Sequence, residues 1–252
     1  MLFSGRRIVV VTLSLLSAAF TPLASADEVL VAVAANFTAP MKDIAQAFQQ
    51  KTGHTLKLSF GSSGKFVAQI ENGAPFEVFL SADQSKPQAL IQSGRADGNT
   101  RFTYALGGLV LWSPEADADV HQQLLDGSFE RLALANPRLA PYGEAALQTL
   151  AALNLSDATQ NKQVMGENIS QTWQFVSSGN AQLGFVALSQ VMADGKIQNG
   201  SSWVVPQNLY QPIRQDAVLL KRGAGNQAAR DLLAYLKSAD VSAIIARYGY
   251  GR

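Results

Sequence analysis

No cysteine occurs among the 252 residues. That excludes disulfides, thiolate metal sites and a cysteine nucleophile. It also excludes the lipid-modified cysteine that tethers some exported proteins to a membrane. Histidine is nearly as scarce: there are two, His54 and His121. His54 falls in a turn between a helical and an extended pattern, and His121 in a polar stretch. Neither has a neighbour at metal-ligand spacing, so both read as surface side chains. Charge is sparse, with 15% Asp, Glu, Lys and Arg and a formal net charge of +1. That balance gives no reason to expect a nucleic acid partner. Internal repeats, low-complexity tracts and long linkers are missing. A Ser-His-Asp hydrolase would need a nucleophile elbow, and none is present.

What is there begins with "MLFSGRRIVVVTLSLLSAAFTPLASADE". Arg6 and Arg7 make a basic start, Ile8 to Phe20 is apolar, and Ala24-Ser25-Ala26 fits a small-x-small cleavage site. The apolar run is short for a spanning helix, which takes roughly 20 residues. The expectation is a secretory signal over 1–26, cut after Ala26. Its loss removes two arginines and no acid, taking the net charge from +1 to −1. The remainder is expected to be a soluble monomer in the periplasm.

The apolar run Val29 to Ala35 predicts a strand buried on both faces of a parallel sheet. Met41, Ile44, Ala45 and Phe48 recur at helical spacing up to Gly53. Leu56 to Phe60 alternates as a strand, Phe66 to Ile70 is helical, and Phe76 to Leu80 is again extended. This βαβαβα order implies a parallel sheet with crossover helices. Near Tyr104 the pattern changes. "YALGGLVLWSP" reads as one long strand with a glycine pair, a hinge into a second lobe. That lobe repeats the alternation, with strands at Leu132 to Ala135, Val164-Met165 and Leu183 to Val186. Trp203 to Val205 and Ala217 to Leu220 are further strands, and the tail from Asn226 is amphipathic helix. The expected division is lobe one over 27–105 and 213–252, and lobe two over 106–212.

"GSSGK" (61–65) stands between a strand and a helix. It is not a P-loop: Ser59 occupies the first glycine position, and Phe66 the position of the magnesium-binding hydroxyl. A helix start still attracts anions through its free N–H groups and its dipole. In open α/β sheets ligands sit beyond the carboxyl ends of strands. Here those places are Asn36 to Thr38, Ser62-Ser63, Pro141-Tyr142 and Asn168-Ile169. All are uncharged. Four such helix starts would cage a small dianion and exclude a nucleotide by size. Ser62 or Ser63 could instead simply cap its own helix. Lys65, one residue inside the helix start, is expected to point to solvent. Glu77 and Asp83 read as structural carboxylates or as contacts for a partner.

"VAVAANFTAPMKDIAQAFQQKTG", "LSFGSSGKFVAQIENGAPFEVFLSADQ", "YALGGLVLW", "ANPRLAPYGEAALQTL", "AQLGFVALSQV" and "IIARYGY" resemble the periplasmic molybdate-binding proteins of ABC importers. The resemblance covers essentially everything after the signal. It implies a two-lobed α/β type II periplasmic-binding-protein fold, each lobe a mainly parallel sheet, joined by two crossing hinge strands. It further implies binding of molybdate or tungstate without a cofactor, and delivery to a membrane permease. By position it implies Asn36, Ser63, Tyr142 and Ile169 as contacts, with Thr38 beside Asn36. Asn36 stands where a serine is usual, Tyr142 where a small residue is usual, and Ala187 where a tyrosine is usual. The hydroxyl lost at Ala187 is expected to be replaced at Tyr142. Other oxyanions (sulfate, phosphate, chromate) and an exported phosphate-ester hydrolase are the alternative readings.

Overall fold

The computed structural model describes residues 27–251. The expected signal over 1–26 lies outside them. Strand β1 (Glu28–Ala34) has apolar residues on both faces. Val29, Val31 and Val33 join a cluster with Phe37, Ile44, Phe48 and Leu232, and Ala32 joins another with Phe66, Phe79 and Leu90. Such a strand belongs inside a sheet. It pairs in parallel with β2 (Thr55–Gly61) on one edge and β3 (Val78–Leu80) on the other. Helices α1 (Thr38–Thr52), α2 (Ser63–Glu71) and α3 (Ser85–Gln92) connect this half.

Strand β4 (Phe102–Gly107) ends at the glycine pair, and β5 (Leu109–Ser113) enters a second sheet. The stretch expected as one long strand is therefore two. The second sheet runs β11-β5-β8-β6-β7, with β6 (Leu132–Ala135), β7 (Gln163–Gly166), β8 (Leu183–Ala187) and β11 (Ser201–Val204). A small hairpin, β9 (Met192–Ala193) and β10 (Lys196–Ile197), lies outside both sheets. The chain returns through β12 (Ile213–Leu219), and the first sheet is ordered β2-β1-β3-β12-β4.

Both sheets are mixed rather than mainly parallel in their pairings. β12 is antiparallel to both β3 and β4, and β5 is antiparallel to both β8 and β11. The reversed strand in each sheet is the one that has just crossed from the other. A crossover helix returns the chain to the same end of a sheet and keeps strands parallel; a direct crossing does not.

The second lobe carries α4 (Val120–Asp126), α5 (Pro141–Ala152), α6 (Ser156–Gln160), α7 (Ile169–Ser177) and α8 (Leu188–Val191). Helices α9 (Gln227–Leu236) and α10 (Ala239–Ala246) return to the first. Gly251 then pairs with Leu106 of β4, so the tail is stitched to a crossing strand. Neither histidine is a free surface group. His54 Nδ1 accepts from Asp27 N at 3.1 Å, and His121 stacks on Trp203 with ring centroids 4.0 Å apart.

Candidate functional site

The carboxyl ends of β1, β2 and β3 face those of β6 and β7 across the cleft between the sheets. The loops leaving these strands enclose one cavity, walled by Ala34 to Asn36, Gly61 to Ser63, Ala82, Ala140 to Tyr142, Asn168 and Ile169. The space open to the centre of a water-sized sphere is about 10 Å³, so the site suits one small species and not a nucleotide. These wall residues carry no ionisable group other than the Tyr142 phenol.

The walls present hydrogen-bond donors. Ser63, at the first position of α2, is buried, and its Oγ accepts from Ala82 N at 3.0 Å. Its own proton is left for the cavity. Ser62 precedes the helix but makes no capping bond. Its Oγ is buried and has no protein partner. A buried hydroxyl without a partner costs free energy unless something in the site bonds it. In α7 the Asn168 carboxamide oxygen accepts from Ser170 N and Gln171 N, both at 3.0 Å. The cap thus serves the second and third N–H groups of the helix. The first, on buried Ile169, is left without an intrahelical acceptor. Pro141 opens α5 and fixes the approach of Tyr142, whose hydroxyl accepts from Gln215 Nε2 at 3.1 Å. Burial pushes the Tyr142 phenol well above its usual pKa, and pushes the neighbouring Tyr250 phenol up to about 12. Both therefore stay protonated and able to donate at neutral pH.

The structure thus brings Asn36, Ser63, Tyr142 and Ile169 to one cavity, and two expectations need correction. Thr38 is not in the wall. Its hydroxyl donates to Ala35 O at 2.7 Å, because a threonine opening a helix can bond the turn behind it. Asn36 is in the wall, yet its amide is committed elsewhere. Nδ2 donates to Gln215 Oε1 at 2.8 Å and to Tyr250 Oη at 2.9 Å, which uses both of its hydrogens. What Asn36 offers the cavity is the backbone N–H of the short turn Ala35–Phe37. Lys65 reaches solvent as expected, its side chain half exposed. It pairs with Glu167 across the cleft at 2.5 Å. Glu77 is structural, accepting from Leu30 N and Asn226 Nδ2, and Asp83 pairs with Lys86 at the start of α3. Ala187 is buried at the end of β8 and is not in the wall.

Sequence reasoning placed Ser62-Ser63 at an anion-facing helix start but gave Ser63 alone as a contact, while the unpartnered hydroxyl is that of Ser62. It also passed over Gln215, which carries no motif, and gave no role to Tyr250, which ends the quoted "IIARYGY"; neither lines the cavity.

The chain matches the family described as bacterial extracellular solute-binding protein over residues 29–251. It is 55% identical over 230 residues to the molybdate-binding protein ModA of Azotobacter vinelandii, covering 90% of this chain and 91% of the relative. It is 50% identical over 228 residues to the protein of the same name from Rhodobacter capsulatus, covering 90% and 89%. Among solved structures, a periplasmic molybdate-binding protein of Azotobacter vinelandii superposes with a TM-score of 0.86 at 38% identity, covering 89% of this chain and 99% of that one. With two lobes closed on a cavity lined by donors, and a family match spanning both, the chain belongs to the bacterial extracellular solute-binding proteins.

Proposed function

We propose that this protein binds molybdate, or tungstate, in the periplasm and delivers it to the membrane permease of an ABC importer. The observation that carries the reading is the Ser62 hydroxyl, buried and unpartnered in a small cavity whose walls offer N–H and O–H donors from both lobes. The relatives named for molybdate binding, at 55% and 50% identity, support the choice of anion. A carrier rather than an enzyme fits these walls, which hold no carboxylate or imidazole to act as general base. Export follows from the signal expected over 1–26, removed after Ala26.

The chemistry of the walls sets the selectivity. Molybdate and tungstate are tetrahedral dianions of nearly equal size, and both are fully deprotonated at neutral pH. Phosphate carries a proton there and needs a strong acceptor, which a wall without carboxylates lacks. Sulfate has the charge but shorter bonds to oxygen, so its contacts to donors that suit the larger anion are longer and weaker. Isothermal titration calorimetry is expected to show tight binding of molybdate and tungstate. Sulfate and phosphate should be weaker by at least about 100-fold, or roughly 2.7 kcal/mol. Sulfate within tenfold of molybdate would overturn the assignment and make the protein a general oxyanion carrier.

A further inference from the structure

We infer that Gln215, which does not line the cavity, is the positioning residue that presents the Tyr142 hydroxyl to the bound anion as a donor. The inference rests on the oxyanion reading above.

Gln215 is fully buried in β12, one of the two crossing strands. Its Oε1 receives Asn36 Nδ2 at 2.8 Å and lies 3.0 Å from the Tyr104 hydroxyl. Asn36 Nδ2 can only donate, so the oxygen of Gln215 must face it. That fixes the polarity of the Gln215 amide. Its Nε2 is turned to Tyr142 Oη, 3.1 Å away, and donates to it. A phenol oxygen that receives a hydrogen bond must send its own proton elsewhere. Tyr250 Oη is the competing acceptor: it receives Asn36 Nδ2 at 2.9 Å and sends its own proton to Asn36 O, also at 2.9 Å. A dianion in the cavity is a stronger acceptor than a neutral phenol, so with the anion bound the Tyr142 proton turns to the cavity. Asn36, through its amide, therefore orients a hydroxyl in the opposite lobe.

The backbone is shaped around this one bond. The register of β12 against β4 shifts between Gln215 and Asp216, and such a bulge re-aims a side chain. On the other crossing strand, a Cβ at Gly107 would overlap the Tyr142 hydroxyl and stand 2.6 Å from Gln215 Nε2. Glycine there keeps the path open.

The test is a double-mutant cycle read by titration calorimetry with molybdate, each protein first checked for folding by circular dichroism. Tyr142→Phe and Gln215→Met are each expected to weaken binding about tenfold or more. The double variant should be no weaker than Tyr142→Phe alone within twofold, because Gln215 acts through that hydroxyl. A packing role would instead weaken binding whether or not the hydroxyl is present. Gln215→Glu keeps the shape and guards against a Gln215→Met protein that does not fold. An ionised carboxylate can only accept, so it takes the Tyr142 proton and adds charge beneath the anion. Binding should then fall at least about 100-fold. Multiplying losses in the double variant would overturn the inference, as would Gln215→Met or folded Gln215→Glu within threefold of the parent. If the unaltered protein takes up no oxyanion, the proposed function falls with it. If it binds molybdate and the cycle is additive, only the role of Gln215 falls.

Discussion

A single hydroxyl shows most clearly how stability and function pull apart in this protein. Ser62 Oγ is buried without a protein partner, and leaving such a group unbonded costs about 1–3 kcal/mol. Ser62→Ala removes that cost and one anion donor together. The variant is expected to melt at or above the parent temperature in anion-free buffer while binding molybdate about tenfold or more weaker. A lower melting point with unchanged affinity would make Ser62 a structural residue. The buried phenols make a second prediction at this scale. Tyr104, Tyr142 and Tyr250 are all raised above the ordinary tyrosine value of 10.0, chiefly by burial, Tyr250 to about 12. Below pH 10 the phenols are neutral in both folded and unfolded chains, and their contribution is fully present. Above it the unfolded chain ionises first, so stability falls as pH rises toward 12. Denaturant titrations across that range should show the loss. Phenolate absorbance of the folded protein should rise at higher pH than that of the unfolded chain. Residue identity in the sequence could show where anion donors cluster, but not which hydrogen goes where. Thr38 and Asn36 look like donors in the sequence, yet their side chains are spent on Ala35 O, Gln215 and Tyr250. Those partners are up to 214 positions away, beyond the reach of any local pattern.

At the scale of elements, the site depends on helix starts held close to strand ends. Gly143 shows how close: a Cβ there would overlap the carbonyl of Ala135 at the end of β6. That carbonyl is backbone and cannot rotate aside, so Gly143→Ala must lift the first turn of α5 and carry Tyr142 out of the wall. Overpacking of this kind costs about 1–3 kcal/mol. The variant is expected to lose that much stability by urea denaturation and to bind molybdate at least about 100-fold more weakly. Unchanged affinity would show that the start of α5 does not set the site. Most elements were legible because burial writes a period into the sequence: β1, β6 and β8 are continuous apolar runs, and α1 repeats Met41, Ile44 and Phe48. The unread elements lack that period. Helix α4 is short: it buries Val120 and Leu124, too few to set a period, and is bounded by an Asp119 cap, 3.0 Å from Gln122 N, and by Gly127 at φ 75°. Helix α6 buries only Thr159. Strand β12 was expected from Ala217 but begins at Ile213, because Gln215 and Asp216 are buried through hydrogen bonds rather than apolar contact. The mixed sheets were not legible either, since strand direction depends on which sheet receives the chain after a crossing.

For the whole molecule the question is what holds two lobes together around so small a cavity. Besides the crossing strands, several bonds join the lobes. Gly64 N donates to Leu139 O at 3.0 Å, and Ser189 Oγ donates to Asn36 O at 2.8 Å. Ser170 Oγ meets Ala35 O at 3.4 Å, and Lys65 pairs with Glu167 at the rim. Each is modest. A net hydrogen bond is worth about 0.5–1.5 kcal/mol, and a half-exposed ion pair about 0–1 kcal/mol. Set against the conformational freedom that closing removes, such a sum leaves open and closed forms close in free energy. In the proposed complex a dianion held by Ser62 and Ser63 on one side and by Tyr142 and Ile169 on the other would add several charge-assisted bonds, each stronger than a neutral one. All of them form together only when the lobes are closed, so binding must shift the population toward closure. The radius of gyration from small-angle scattering is therefore expected to fall when molybdate is added to anion-free protein. The rim pair supplies an internal control. Lys65→Gln should weaken molybdate binding less than about fivefold, since a surface pair contributes at most about 1 kcal/mol. The gap between parent and variant should shrink as salt is raised, because an exposed pair is screened. Scattering that does not change on saturation would remove population shift as the means of capture. A Lys65→Gln loss well above fivefold would make the rim pair, and not the neutral donors, the principal latch.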